Sequence, residues 1–434
     1  MLRKLIVNEL FGIYNYEIDF NNEENTKIIT GPNGYGKSTI LKILDNLLNN
    51  RFWFFYYLDF TSIAVEFSSC NFFIRKCISD ENNLSNDGDF GRDSYDYKVI
   101  VELRDLSNKE IESVEINSTL IQRLLRIVKR NNLERYSYIS DVELLSSSYS
   151  QDIINDFPLR LKNISLILQG YDSKYLSSQR LYSFGEHQFY RSSFFPSYQI
   201  DKVNDLLIHH YQNAQFLFAS ECQRIDATYI PRLISIKKRY SPKELQDQLE
   251  KLKKIVADYK ALNLLNDMEV LDLSKSYEDI KNNNMIDVLS LYVEDMNKKM
   301  DKLNALYEKV RLFKSLLDKK ILSEKEIIIS EKGMSFKNSK GKELTNLHLL
   351  SSGEQNLLIL YYNMIFETSS HSILLIDEPE NSLHVAWQSR MLEDYIQISN
   401  NTKCQIILAT HSPILINNRW DLTTDLYRQH KGKH

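Results

Sequence analysis

The sequence predicts an α/β fold with a mixed β-sheet, interrupted by a long and mainly helical insertion. Three observations predict it. The strand-like run Lys27-Ile28-Ile29-Thr30 leads into the glycine-rich stretch Gly31-Pro32-Asn33-Gly34-Tyr35-Gly36-Lys37-Ser38-Thr39 and then into the helical run Ile40–Leu44. Far downstream, the apolar run Ser372-Ile373-Leu374-Leu375-Ile376 ends in Asp377-Glu378, as a buried parallel strand does when it delivers polar groups at its carboxyl end. Between these lie two segments whose apolar residues step by four and three, the spacing of a helical seam.

Taken in order, residues 1–20 alternate polar and apolar through Leu5, Val7, Ile13, Tyr16, Ile18 and Phe20. That predicts a two-stranded entry hairpin. Ser62–Phe67 and Tyr97–Leu103 read as further strands, and Ser79–Tyr95, rich in Asp, Asn, Ser and Gly, reads as a solvated loop between them. Residues 110–160 read as mostly helical with a serine-rich break at Ser146–Ser150, while Leu166–Leu168 and Lys174–Ser178 read as strands or strand ends. In the seam, Leu245, Leu249, Leu252, Val256 and Tyr259 are followed by Leu289, Val293, Met296, Met300, Leu303, Tyr307 and Val310. Asn263, Asn266 and Asn282–Asn284 separate the two runs, so the expected structure is a short antiparallel coiled-coil hairpin over about residues 243–321, the longer helix reaching roughly 50 Å. The alternative is two core helices of a helical subdomain with no projecting arm. Glu326–Ser330, a Glu331-Lys332-Gly333 turn and Met334–Phe336 predict a β-hairpin. The expected domains are 1–104, the first part of a head; 105–322, the insertion; and 323–434, the second part of the head.

Composition narrows the classes. With 43% hydrophobic residues the chain has ample material for a core, and a net charge of −4 shows no chain-wide basic footprint for nucleic acid. Lys237-Lys238-Arg239 and Lys251–Lys254 are the compact basic clusters, and solvated helix faces explain them as well. No run of about 18 apolar residues predicts a membrane span. Met1–Val7 reads as a first strand rather than a signal peptide. Cys70, Cys77, Cys222 and Cys404 lack metal-like or disulfide-framework spacing, so reduced, buried thiols and a soluble cytoplasmic protein are expected.

The glycine stretch fits G-x-x-x-x-G-K-[ST], in the strand–loop–helix setting that gives the pattern meaning. Glycines are scarce, 12 in 434 residues, and three fall within these nine positions. Gly31, Asn33, Gly34, Gly36, Lys37, Ser38 and Thr39 are the candidate phosphate-binding set. Backbone N–H groups and the helix N-terminus converge on phosphate oxygens, Lys37 supplies a full charge, and Ser38 is a candidate magnesium ligand. Asp377 is placed to hold the magnesium shell, and Glu378 to orient and polarise a water for attack on a γ-phosphate.

Leu350-Ser351-Ser352-Gly353-Glu354-Gln355 precedes the predicted helix Asn356–Glu367. This stretch resembles the signature motif of the ABC ATPase superfamily, in the form of its SMC, RecF and OLD branches. Asp377-Glu378-Pro379-Glu380 resembles their Walker B, Asn381-Ser382-Leu383-His384 their D-loop, and Ala409-Thr410-His411-Ser412-Pro413 their switch-histidine loop. The five motifs occur in the family's order, across roughly residues 1–45 and 325–416. The resemblance implies an ABC-type ATPase head in which two copies pair head to tail around two ATP molecules with Mg2+. Ser351, Ser352 and Gly353 of one copy would then face the γ-phosphate held by the other, and His411 would contact that phosphate and hold the attacking water. Catalytic roles are thereby implied for Glu378, His411 and Lys37. For the family's glutamine loop the candidate is Gln179, with a plain loop glutamine as the alternative. Arg180 would bind phosphate or a partner, or nothing. Phe11 and Tyr14 are the candidates for stacking on adenine, and His384 either packs across the paired interface or lies on plain surface.

The Glu378–His384 and Ala409–Pro413 stretches are similar to OLD-type ATPases. In OLD nucleases a TOPRIM domain follows the histidine loop, whereas 23 residues follow His411 here (434 minus 411). The expectation is an OLD-like ATPase without its nuclease, resembling the stand-alone ATPase subunits of anti-phage systems of PARIS or Septu type. Such a subunit would control a separate TOPRIM or HNH effector nuclease and respond to a phage protein. The alternatives are a RecF-like repair ATPase clamping duplex DNA, and a scaffold that binds ATP to oligomerise and turns over little.

Overall fold

The computed structural model describes residues 1–78, 97–130, 141, 145, 172–183, 197–235, 240–265, 283–318 and 325–431. The predicted Ser79–Tyr95 loop, the Ser146–Ser150 break, the Leu166–Leu168 strand and the Lys237–Arg239 basic cluster lie outside the described residues. The chain forms two compact units. The first comprises Met1–Arg180, Phe184–Pro196 and Glu367–His434; the second comprises Leu181–Ser183 and Ser197–Phe366.

The first unit holds two sheets. One is antiparallel, built from β1 (Leu2–Leu10), β2 (Tyr14–Asp19), β4 (Ser62–Phe67), β5 (Asn71–Ile78), β6 (Tyr97–Arg104) and β7 (Glu110–Ile116), in the order β2-β1-β4-β5-β6-β7. The predicted entry hairpin is present, with Leu5 opposite Ile18. Alternation works as the pleat demands: Ile63, Val65 and Phe67 of β4 are buried and their neighbours are not. β7 corrects the helical reading of residues 110–160, whose first described helix is Ser118–Arg130. This strand ends the sheet, and Glu110, Glu112 and Glu115 keep that end charged. Charged edge positions suppress the strand signal while serving to block unwanted pairing.

The other sheet is parallel, ordered β16-β3-β15-β14-β8, from β3 (Thr26–Thr30), β8 (Ser173–Leu176), β14 (Ile373–Asp377), β15 (Gln405–Ala409) and β16 (Thr423–Asp425). Every residue of β14 and β15 is buried, which explains their unbroken apolar runs. The helix Lys37–Leu48 puts Ile40, Leu41, Ile43, Leu44 and Leu47 into a core shared with Ile373, Leu375 and Ile407. Because all five strands run the same way, their carboxyl ends meet at one edge. The chain leaves that edge in loops that begin at Gly31, Ser177, Glu378 and Thr410, and in the helix Leu426–Lys431.

The second unit contains the two-residue pair β9 (Tyr182–Ser183) and β10 (Ser197–Tyr198), and the sheet β11 (Lys325–Ser330), β12 (Gly333–Asn338) and β13 (Glu343–Leu344). Its helices are Gln199–Ala227, Tyr229–Ile234, Pro242–Ala261, Asn283–Asp318 and Ser352–Ile365. The seam residues of both runs are buried, apart from a half-buried Tyr307. Their direction corrects the expected antiparallel hairpin. The Tyr240 N–H donates to Ser290 Oγ at 3.1 Å, and nineteen residues on (259 minus 240) the Tyr259 hydroxyl donates to Asn304 Oδ1 at 3.2 Å. The helices therefore run parallel. A heptad seam carries no sense of direction, and the 21 residues from Leu262 to Asn282 are long enough to return the chain to its starting end. Helix Asn283–Asp318 also packs against Gln199–Ala227, where Lys299 pairs with Asp226 at 3.2 Å.

The sequence boundaries at 104/105 and 322/323 coincide with neither unit: β7 continues the first unit's sheet, and Ser352–Ile365 belongs to the second. Cys70 and Cys404 are buried free thiols, while Cys77 and Cys222 are only partly buried. Among the described residues no helix is long and apolar enough to cross a membrane.

The β11–β12 turn yields a stability prediction. Gly333 has φ +95°, and a Cβ there would lie 2.4 Å from Asn204 Oδ1, the atom that accepts the Met334 N–H at 2.7 Å. Gly333→Ala both strains the backbone and displaces that acceptor. The expected loss is about 2 kcal/mol, read from the urea unfolding midpoint; an unchanged midpoint would show that Asn204 moves aside freely.

Candidate active site

The site of the first unit is assembled at the carboxyl edge of its parallel sheet. Gly36 caps the helix Lys37–Leu48 in a left-handed conformation, with φ 81° and no side-chain cap. A Cβ at this position would come within 3.0 Å of Leu10 Cδ2. Glycine is required on both counts. With no side chain capping them, the first N–H groups of the helix remain available to an anionic ligand, and the dipole favours one.

Lys37 lies under this loop, only 6% exposed. Its ammonium donates to the carbonyls of Gly31 at 2.9 Å and Pro32 at 3.2 Å, and sits 2.5 Å from His411 Nε2. Burial lowers its pKa, and the carboxylates of Glu378, Asp377 and Glu380 oppose that shift. The two residues farthest apart in the motif order, Lys37 and His411, are thus neighbours.

Ser38 Oγ donates to Asp377 Oδ1 at 3.0 Å, joining the two predicted magnesium ligands. The second carboxylate oxygen accepts from the Tyr175 hydroxyl at 3.1 Å. Burial first, then Asp377 itself, pushes the Tyr175 phenol well above its ordinary value, so it stays a donor. A hydroxyl and a buried carboxylate side by side, with hard oxygen donors only, suit a divalent cation such as magnesium. Ser38 and Asp377 are therefore the residues that would hold one.

Glu378 adopts φ 44°. Asn381 Nδ2 donates to its Oε2 at 2.8 Å, and its Oε1 lies 4.0 Å from His411 Nε2. Glu380 anchors the histidine loop, its Oε1 accepting from Thr410 Oγ1 at 2.6 Å and from the His411 N–H at 3.0 Å. Gln179 is exposed three residues beyond β8, the strand that pairs with β14. Arg180 is buried, its Nη2 donating to the carbonyls of Asp377 and Glu378. His384 caps the helix Val385–Thr402, its Nδ1 accepting from the Ala386 N–H at 3.2 Å. A cavity of about 410 Å³ opens beside the loop, lined among others by Gly31, Pro32, His411, Trp420 and Tyr427.

In the second unit Ser351 caps the helix Ser352–Ile365 with a capping box: Ser351 Oγ accepts from the Glu354 N–H at 3.3 Å, and Glu354 Oε2 accepts from the Ser351 N–H at 2.8 Å. Lys325 Nζ bonds Glu354 Oε1 at 2.7 Å. Burial alone would raise the Glu354 pKa; the bonds from Lys325 and Ser351 outweigh it and hold the carboxyl below its ordinary value. Ser351 and Ser352 stay exposed and Gly353 is buried.

Sequence reading missed Tyr175 and Lys325 as contributors; it placed Asn381 only within the D-loop-like stretch, and it offered Arg180 a phosphate or a partner, whereas the structure gives it the carbonyls of Asp377 and Glu378. Of the two it missed, Tyr175 carried a signal, since it lies in a strand read next to the glutamine candidate.

The family model of the AAA ATPase domain matches residues 1–416. The chain belongs to that family. Among solved structures, this ATPase domain is similar to an Smc head bound to the C-terminal winged-helix domain of ScpA, at 13% identity, covering 96% of this chain and 91% of that one with a TM-score of 0.35. An Smc head with an extended coiled coil bound to the C-terminal domain of ScpA, from Pyrococcus furiosus, aligns at 14% identity with the same coverages and TM-score. The SMC head domain from Thermotoga maritima aligns at 12% identity over 96% of this chain and 90% of that one, with a TM-score of 0.32. No curated protein matches the chain.

For this ATPase domain, Lys37→Ala removes the one ammonium beneath the loop. ATP affinity should fall by about 100-fold or more, because charge-assisted bonds contribute roughly 1.5–3 kcal/mol each. Isothermal titration checks it, and unchanged affinity would remove the loop from nucleotide binding.

Proposed function

We propose that this protein is an ABC-type ATPase that works as a nucleotide-driven dimerisation switch. The observation that carries the reading is the meeting of Lys37, Ser38, Asp377, Glu378 and His411 at one sheet edge. These are a phosphate-binding cation, two oxygen ligands for a divalent cation, a carboxylate and an imidazole.

In this reading the triphosphate displaces the carbonyl partners of Lys37 and lies along the N–H groups at the start of the helix Lys37–Leu48. Bound Mg2+ would neutralise charge on the outer phosphates. Glu378, oriented by Asn381, accepts a proton from a water aimed at the γ-phosphate, and His411 holds that water and the phosphate oxygen. Phe11 is the favoured adenine platform. Phe11 is 41% exposed and holds φ 57°, and its Cε2 lies 3.5 Å from where a Cβ of Gly36 would stand. Tyr14 instead packs against Tyr16, Tyr35 and His430.

Ser351, Ser352 and Gly353 of a second copy would complete the pocket from the start of their helix. Binding then closes the pair and hydrolysis opens it, because the bound phosphate contacts both copies only in the closed state. Such a switch is suited to control a separate effector, and we assign it to anti-phage defence alongside a TOPRIM or HNH nuclease.

The test uses Glu378→Gln, which keeps the shape of the pocket and removes the proton acceptor. With ATP and Mg2+ its mass in light scattering should double and stay doubled, while phosphate release falls by about 100-fold or more. A mass that stays monomeric at saturating ATP would sink the switch. Co-expression with the neighbouring gene product should recover a nuclease; a stable complex with duplex DNA alone would favour the repair reading instead.

A further inference from the structure

We propose that Arg180 is a positioning residue for hydrolysis: its guanidinium grips the Asp377–Glu378 main chain and so sets the direction in which the Glu378 carboxylate projects. The inference rests on the proposed role of Glu378.

Asp377 is the last residue of β14, and its neighbour leaves the ladder. The Glu378 N–H still donates to the Ala409 carbonyl at 2.8 Å, but its backbone turns to φ 44°, a region that bulky residues avoid. Such a conformation persists only where its surroundings hold it. Arg180 supplies that hold. Its Nη2 donates to the carbonyl of Asp377 and, at 3.1 Å, to the carbonyl of Glu378. Two consecutive carbonyls are thereby tied to one planar, rigid group, which fixes the peptide between them and with it the Cα–Cβ direction of Glu378. Asn381 then fixes the far end of the side chain through Oε2.

The location argues for function beyond packing. Arg180 is 6% exposed, and two of its donors, Nε and Nη1, have no acceptor among the described residues. Glu380 Oε2 nearby has no donor either, and its charge acts on Arg180. A stable core is served better by an apolar side chain than by a half-satisfied buried cation. This cation reaches both carbonyls from the turn that follows β8, the strand that also sends Tyr175 to the Asp377 carboxylate.

The experiment compares wild type, Arg180→Ala and Arg180→Lys as full chains, by steady-state hydrolysis, ATP titration and melting. For Arg180→Ala, kcat should fall by about 100-fold, the scale seen when one oriented group is lost from an active site, with the ATP dissociation constant changed by less than about threefold. Millimolar guanidinium should restore part of kcat without changing ATP affinity. Arg180→Lys retains the charge on a side chain one bond shorter and without the planar group, so its ammonium falls short of the Nη2 position; it should melt near wild type and keep a kcat lowered by about tenfold. An unchanged kcat in Arg180→Ala overturns the inference. So does parallel loss of ATP affinity and kcat in Arg180→Lys, or failure of both variants to fold, either of which makes Arg180 a residue of the fold alone. A wild type that binds ATP but does not hydrolyse it instead defeats the proposed function on which the inference stands.

Discussion

Asp377 is the constraint on which the carboxyl edge of the parallel sheet depends. It is a carboxylate 5% exposed, and a charge so placed is tolerated only when its oxygens are spoken for. Ser38 and Tyr175 take the two side-chain oxygens, and Arg180 takes the carbonyl. Each partner comes from a different segment: the phosphate loop's helix, the strand β8, and the turn after it. Satisfying one buried group therefore locks three segments into register. Because β14 lies between β15 and β8, the same strand sets the height of the histidine loop on one side and of the glutamine candidate on the other.

Much of this was legible in the sequence, and what was legible was local. The glycine loop declares itself because glycine is rare here and the loop needs the left-handed backbone at Gly36. β14 declares itself because a strand covered on both faces has no polar positions to interrupt it. The helix after the signature stretch is legible as well, although the sequence reads its start at Asn356 and the capping box of Ser351 and Glu354 sets it at Ser352. Motif order placed His411 with Lys37 correctly, even though 374 residues separate them.

What the sequence concealed depended on pairing partners. β7 reads as a helix because Glu110, Glu112 and Glu115 hide the alternation of a sheet's end strand. The two seam helices read as antiparallel because the pattern of buried Leu, Val and Met looks the same from either end. Only Tyr240 on Ser290 and Tyr259 on Asn304 reveal that they run together. Arg180 had no pattern at all, since its acceptors are main-chain carbonyls nearly 200 positions away, and any residue type at 377 and 378 would offer those.

Left-handed backbone at residues other than glycine is scattered along the chain, and one such residue, Glu378, lies in the site itself. Positive φ at a residue with a Cβ costs about 1–2 kcal/mol, and Glu378 and Ser382 both carry it within six positions of each other. Glycine would relieve the strain at 378, yet glycine has no carboxylate to aim at a water. Asparagine or aspartate would tolerate the conformation better but reach less far. The chain instead keeps the longer acid and surrounds it with bonds: Ala409 to its N–H, Arg180 to its carbonyl, Asn381 to its carboxylate. Three separate restraints on one residue exceed what holding a strand end requires. They are what a carboxylate needs if it must meet a water at one angle, and they explain why a buried arginine with spare donors is retained where an apolar side chain would pack more cheaply.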